Sequence, residues 1–269
     1  MKGIKVGLIG CGTIGARLAE AITYEVEGME LAAVNDIIET RARDLAGRLS
    51  SQIKIKSLEE IADEVDLVVE AASAQVVPEV VSAAISRKKA ALIMSTGGLL
   101  ERLDLVESAR DQGVPIFIPS GAMAGLDAVK AAGRGRISSV CLKTSKPPAG
   151  LKGAPWVVEK GIDLDNIGQP KVIFQGNALE AARHFPANIN VAATLSLAGI
   201  GADQTKVEIV ADPNLRRNVH EIQVEGDFGR IISRCENLPA PSNPKTSYLA
   251  VLSAIAVLRG ITDSVRVGT

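Results

Sequence analysis

Apolar positions over the first 120 residues fall into two alternating rhythms. Short runs rich in β-branched side chains, IKVGLIG (4–10), ELAAVND (30–36), QIKIK (52–56), DLVVEAA (66–72), AALIMST (90–96) and PIFIPS (115–120), read as strands. Between them the spacing is helical: Ile14, Leu18, Ile22 and Val26 recur every four residues, and Ser57 with Glu60 forms a capping-box pattern before Ile61. Strand and helix in alternation imply parallel pairing through right-handed crossovers. The pattern therefore predicts a doubly wound parallel sheet over residues 1–121.

After that the rhythm changes. AMAGLDAVKAAG (122–133) reads as helical, and longer strands follow: ISSVCLKTSK (137–146), KVIFQGNA (171–178), TKVEIVAD (205–212) and VHEIQVEGDFGRIISRC (219–235), the last with EGDFG as a hairpin turn. This predicts a second α/β domain over 122–245, built on a mixed or antiparallel sheet. The proline-rich segment LPAPSNPKTS (238–247) leads into YLAVLSAIAVLRG (248–260), a strongly apolar helix. Such a helix needs a partner surface, and residues 246–269 are expected to return to the first domain.

Composition narrows the class. Apolar residues make up 46% of the 269 residues but aromatics only 3%, so the core is built from Val, Ile, Leu and Ala, as in sheets covered by helices. Thirty basic and 31 acidic side chains nearly cancel, leaving no electrostatic footprint for nucleic acid. No apolar stretch reaches the roughly 18 residues of a membrane span, and the N-terminal run is too short and glycine-rich for a signal peptide. The expectation is a soluble, cytoplasmic protein. Three dispersed cysteines without a CxxC pair, and two histidines far apart, argue against a disulfide framework and against a metal site.

Gly10-Cys11-Gly12-Thr13-Ile14-Gly15 is a GxGxxG sequence placed directly after a predicted strand and at the start of a predicted helix. The first glycine permits a tight turn, the second lets a pyrophosphate approach the backbone, and the third lets helix and strand pack closely, with the phosphates at the positive helix N-terminus. Asp36 follows Gly15 by 21 residues, at the end of the second strand, where a ribose-binding carboxylate belongs, and can also be read as a strand-end turn residue. It favours NAD by repelling a 2′-phosphate, although Arg41 and Arg43 leave NADP open. Ala72 and Ser73, in the segment Glu70-Ala71-Ala72-Ser73, occupy the carboxyl edge where ligands bind in open parallel sheets, and Ser73 can also be read as a helix N-cap.

A nicotinamide cofactor handles a hydride but not the coupled proton, so the second domain must supply an acid/base group. Alternation puts His220 on one strand face with Ile222 and Val224, and Val219, Glu221, Gln223 and Glu225 on the other. Spacing alone favours a hydrogen-bonded structural histidine, and the acid/base role enters with the cofactor; His184, just before Pro186, is a competing candidate. Asn190 opens an apolar helix in which Val191, Leu195 and Ala198 suggest burial. Its amide suits either helix capping or the nicotinamide carboxamide. Lys143, Lys146, Arg216 and Arg217 are candidates for substrate charge, with Lys146 chosen.

The succession GLIGCGTIG, EAAS, PSGAMAGLDAV, NINVAATLSLAG, NVHEIQVEGDFG and TSYLAVLSAIAVLRG resembles the L-aspartate dehydrogenase family along essentially the whole chain. The resemblance implies an N-terminal Rossmann domain and a C-terminal α/β domain. It implies oxidation of L-aspartate to iminoaspartate with NAD or NADP, the imine entering NAD biosynthesis or hydrolysing to oxaloacetate and ammonia. It makes His220 the match to the family's active-site histidine, places Ala124 and Asn190 along the nicotinamide cofactor, and implies a homodimer. The alternatives are a related two-domain reductase of the homoserine dehydrogenase or dihydrodipicolinate reductase type, or an NAD-sensing binding protein without turnover.

Overall fold

The computed structural model describes residues 3–186, 189–240 and 243–268. Its first six strands are β1 (Ile4–Ile9), β2 (Met29–Asn35), β3 (Lys54–Ile55), β4 (Leu67–Glu70), β5 (Ala90–Ile93) and β6 (Ile116–Phe117). They alternate with helices α1 (Thr13–Tyr24), α2 (Glu39–Leu49), α3 (Leu58–Glu64), α4 (Val77–Ser86) and α5 (Leu103–Asp111). All six strands pair in parallel in the order β3-β2-β1-β4-β5-β6. This is the dinucleotide-binding order, with its switch point between β1 and β4.

Burial explains the run-like strand sequences. Leu67, Val68, Val69 and Glu70 of β4 are all buried, because helices cover both faces of a parallel sheet. Fully burying a side chain such as Leu67 or Val68 contributes about 1.5–3 kcal/mol. Ser57 and Glu60 form the expected capping box at the start of α3. One expectation shifts: α1 ends at Tyr24, so Val26 lies beyond the helix, where its N–H still reaches the Ala21 carbonyl and its side chain is buried.

The second sheet is mixed. It contains β7 (Ile137–Lys146), β8 (Lys171–Asn177), β9 (Thr205–Ala211), β10 (Asn218–Gly226) and β11 (Gly229–Asn237), in the order β11-β10-β7-β9-β8. Only β7 and β9 pair in parallel. β10 and β11 form a hairpin whose last pair, Gly226 and Gly229, leaves Asp227 and Phe228 as the turn, and Gly229 takes the left-handed φ of 105° that the turn requires. Helices α6 (Leu126–Ala132), α7 (Pro155–Glu159), α8 (Ala178–His184) and α9 (Asn190–Ala198) accompany this sheet. A short antiparallel pair, β12 (Pro239–Ala240) and β13 (Asn243–Ser247), precedes α10 (Tyr248–Thr262).

The helix expected from residue 122 starts at Leu126 instead. Gly125 has a left-handed φ of 85°, which breaks the helical path. The carbonyls of Ala122 and Ala124 accept from Asn237 Nδ2 and Ser233 Oγ rather than from a following turn of helix. In α9 the fully buried positions are the consecutive Ala192 to Ser196, so burial wraps the helix; Leu195 is buried as expected, while Val191 and Ala198 are half-buried.

The chain divides into two compact units. The chain up to Pro119 together with Val251–Arg266 forms the first, and Ser120–Ala250 with Val267 and Gly268 forms the second.

Candidate active site

In the first unit, β1 ends at Ile9 and α1 begins at Thr13, so the glycine loop sits at the switch point of the sheet. The three glycines answer to three different constraints. Gly10 has φ 99°, and an added Cβ would lie 2.6 Å from the Ala71 carbonyl oxygen. At Gly15 an added Cβ would lie 1.8 Å from the Gly10 carbonyl oxygen, so any side chain would force α1 away from the loop. Gly12 faces open space, with nothing within 4 Å of an added Cβ. A side chain there would fill room that a pyrophosphate needs, next to the free N–H groups of the first turn of α1, which carries no acidic residue.

Asp36 is already tied to this loop. Its Oδ2 accepts from the Cys11 N–H at 2.7 Å, and its Oδ1 accepts from the Ile38 N–H at 2.8 Å. Each oxygen retains a lone pair that can accept from a ribose hydroxyl. Cys11 is not a reactive thiol: burial, then the nearby Asp36 charge, push it up to about 12. Arg41 and Arg43 are exposed, and Arg43 pairs with Glu39 at 2.6 Å. The residues present thus fit an adenine dinucleotide.

Ala72 and Ser73 are exposed just beyond β4. Ser73 is not the N-cap of the next helix, because α4 starts at Val77 with Val76 in the cap position. The side chain that organises this edge is Glu70, whose carboxylate accepts from the Ala72 and Ser95 N–H groups. Sequence reading passed over it. An acidic residue closing an apolar strand was the available signal.

In the second unit, β10 lies between β7 and β11 and places His220 opposite Thr144 on one side and Cys235 on the other. His220 is 5% exposed, on the face shared with Ile222 and Val224. Its Nδ1 and the Thr144 Oγ1 are 3.1 Å apart. Lys146, two residues along β7 from Thr144, is buried on the same side of the strand. Loss of solvent pushes the His220 imidazole down to about 3, with the Lys146 charge acting in the same direction. Burial pushes the Lys146 ammonium down to about 8. The result is a neutral imidazole beside a cation, both shielded from water. Thr144 was missed because a threonine in a strand carries no sequence signal by itself.

Other candidates are placed differently. Ala124 is exposed, its carbonyl held by Ser233 Oγ at 2.8 Å on β11. Asn190 is the exposed first residue of α9, and Ile189 occupies the N-cap position. His184 closes α8 inside an aromatic group, 4.5 Å from the Trp156 ring and 5.9 Å from that of Phe174. Lys143 is half-exposed and within 3.7 Å of Glu208, while Arg216 and Arg217 are exposed. Among the described residues no group of three His, Cys, Asp or Glu side chains could hold a metal ion, and no helix is long and apolar enough to cross a membrane.

Comparison with known proteins bears on both units. Residues 127–261 match the family model described as aspartate dehydrogenase, C-terminal, and residues 10–119 match that described as homoserine dehydrogenase, NAD binding domain. An L-aspartate dehydrogenase from Methanosarcina acetivorans is 46% identical, over 99% of this chain and 100% of that protein. One from Bradyrhizobium diazoefficiens is 43% identical, over 99% of this chain and 94% of that protein. The crystal structure of aspartate dehydrogenase from Thermotoga maritima superposes with a TM-score of 0.77 at 27% identity, covering 98% of this chain and 99% of that one. A homoserine dehydrogenase structure from Thiobacillus denitrificans, at 17% identity and a TM-score of 0.61, shares the fold alone.

Proposed function

The chain belongs to the L-aspartate dehydrogenase family, and from that premise we propose that it oxidises L-aspartate to iminoaspartate with NAD as preferred cofactor and NADP as a possible substitute. The observation that carries the reading is the burial of both His220 on β10 and Lys146 on β7, with the lysine charge acting on the imidazole, in a chain that also carries the glycine loop and Asp36.

The first unit's loop, Gly10 to Gly15, would hold the pyrophosphate, with Cys11, Thr13 and Ile14 supplying backbone around it. Asp36 would hold the adenine-side ribose, and its charge is the reason NAD is preferred. Ala72, Ser73, Ala124 and Asn190 would line the remainder of the cofactor. When bound, the cofactor supplies the acceptor for the hydride that leaves the substrate Cα.

The rest of the chemistry falls to this chain's own side chains. Imine formation requires a neutral substrate amine, whose proton passes to the free ring nitrogen of His220 directly or through water. A base held neutral by burial is available at any physiological pH, although burial first and the Lys146 charge second make it a weak one. A dicarboxylate substrate changes that balance. Its negative charges oppose the Lys146 contribution and so raise the imidazole from that low value as the substrate binds, while the burial remains. Lys146 would pair with one substrate carboxylate, where low dielectric strengthens the attraction. In the reductive direction the protonated His220 would return the proton.

We take the chain as a cytoplasmic enzyme, acting as a homodimer on the family resemblance. Its three cysteines are all free, as a reducing compartment requires. The imine product would enter NAD biosynthesis or hydrolyse to oxaloacetate and ammonia. The test is a steady-state assay of L-aspartate oxidation, and of oxaloacetate plus ammonia reduction, with NAD(H) and NADP(H), using L-homoserine as the comparison substrate. The expected outcome is turnover of L-aspartate with the better efficiency for NAD. His220→Ala should bind NAD normally and lose turnover by roughly 10²–10⁴-fold. Activity with neither L-aspartate pair defeats the reading, and full turnover of His220→Ala defeats the role of the histidine.

A further inference from the structure

Beneath the glycine loop lies a carboxylate that the proposed chemistry does not use. Glu70 ends β4 and is 0% exposed. Its Oε1 accepts from the Ala72 N–H at 2.8 Å and from the Ser95 hydroxyl at 2.9 Å, and its Oε2 accepts from the Ser95 N–H at 2.9 Å. The Glu70 backbone carbonyl also accepts from the Met94 N–H at 3.1 Å. Burial raises the carboxyl above its ordinary value while the donors from Ser95 and Ala72 act to lower it.

Both oxygens receive donors, so the group must be an acceptor on both sides. An amide cannot do this. In either orientation of a glutamine, its NH₂ faces an N–H that has nowhere else to go, and a buried orphan donor is costly.

The two segments that Glu70 ties together matter to the loop. The Ala71 N–H donates to the Ile9 carbonyl at 2.8 Å, just ahead of the loop. The backbone of Ala71 and Ala72 lies where the missing Cβ of Gly10 would be, at 2.6 to 2.7 Å, and the Ala71 Cβ is 3.6 Å from where that of Gly15 would be. On the other side, the Gly98 N–H donates to the Ser95 carbonyl at 2.9 Å, and an added Cβ on Gly98 would lie 2.3 Å from the Ala74 carbonyl oxygen. Three connections, after β1, β4 and β5, therefore stack with no slack, and one buried side chain fixes two of them.

We propose that Glu70 is a positioning residue for dinucleotide binding: by accepting from Ala72 and Ser95 together, it fixes the turn after β4 as the floor on which the Gly10–Gly15 loop is held. Packed backbone transmits displacement because it cannot compress. When the turn moves, the loop's N–H groups lose their aim at the phosphates. The inference rests on the reading of that loop as the cofactor site.

The experiment measures the dissociation constant of NAD by calorimetric titration of the full chain, and kcat at saturating NAD, for wild type, Glu70→Gln and Ser95→Ala. Glu70→Gln should weaken NAD binding about tenfold, and Ser95→Ala, which removes one hydroxyl donor, about threefold. In both, the dissociation constant should change more than kcat at saturation does. Amide exchange at Ala72 should quicken in step with the loss of affinity. A folded Glu70→Gln protein with wild-type affinity overturns the proposal, whatever its melting temperature, since that is the result of a purely structural role. Should Glu70→Gln fail to fold, Ser95→Ala decides: unchanged affinity overturns the proposal and weakened affinity supports it. If the wild-type chain binds no NAD, what fails is the reading of the loop.

Discussion

His220 acquires its properties from two neighbours that alternation in a strand brings to the same face. If its Nε2 is to accept a proton, the Nδ1 must carry one and donate it to the Thr144 hydroxyl at 3.1 Å. The Thr144 hydroxyl can accept in that tautomer, although as a donor it would equally satisfy an unprotonated Nδ1, so the tautomer is set only together with the proton-accepting role of Nε2. Thr144→Val keeps shape and burial but removes the acceptor, so kcat should fall about tenfold, or about 1.4 kcal/mol, within the roughly 1–3 kcal/mol that an unsatisfied buried donor costs. NAD affinity should stay unchanged, and Thr144→Ser should retain most of the rate; an unaltered kcat in Thr144→Val would show that the hydroxyl does not set the tautomer. The same burial has a consequence for stability. The imidazole titrates at its ordinary 6.5 in the unfolded chain and at about 3 in the folded one. Between those pH values the unfolded state holds a proton that the folded state lacks, so this residue erodes stability as pH falls from 6.5 toward 3. Urea melts of wild type and His220→Gln should therefore diverge below pH 6.5, the wild type losing stability more steeply. Parallel pH profiles would mean the fold does not hold the ring neutral.

At the scale of elements, legibility followed the strength of local signals. Strands β1, β2 and β4 were readable because parallel sheets bury continuous apolar runs, and the capping box of Ser57 and Glu60 marked α3 directly. The glycine loop was readable because Gly10 and Gly15 meet steric demands that no other residue can satisfy, while Gly12 keeps open the space in front of the loop. The hairpin of β10 and β11 announced itself through two glycines around Asp227-Phe228. Where the reading slipped, tertiary contacts had overridden periodicity. The segment 122–125 has helical composition, but side chains from β11 more than 100 positions away claim its carbonyls. Ser73 has the chemistry of a cap, yet its helix begins four residues later at Val77. Thr144, Lys146 and His220 illustrate the limit most directly. Their proximity depends on the register between β7 and β10, strands separated by more than 70 residues, and nothing local in the sequence encodes that register. Glu70 depends likewise on Ser95, a partner on the next strand's exit.

For the molecule as a whole, the unit with the glycine loop is completed by the far end of the chain. Residues Val251, Ala254, Ile255 and Leu258 of α10 are buried, and Val251–Arg266 belong to that first unit. Its ion pairs are peripheral: Arg259 lies 3.8 Å from Glu25, which is closer to Arg17 at 2.7 Å, and these groups are partly exposed. Exposed pairs of this kind contribute at most about 1 kcal/mol. Apolar burial must therefore hold the helix, and Leu258, at 0% exposure, is the place to test it. Leu258→Ala removes three carbon atoms from a packed site and should destabilise the chain by about 2–5 kcal/mol, whereas Arg259→Ala should change it by less than about 1 kcal/mol. Because the lost contacts belong to the unit that carries the cofactor loop, a ligand of that loop should restore part of the loss. NAD at a hundred times its dissociation constant stabilises by about 2.7 kcal/mol through mass action, in the variant as in the wild type, provided the loop itself is undisturbed. Thermal melts with and without NAD check both points together. A Leu258→Ala protein that melts with the wild type would mean that α10 adds little to the first unit; one that is destabilised and no longer responds to NAD would mean that α10 supports the loop as well as the core.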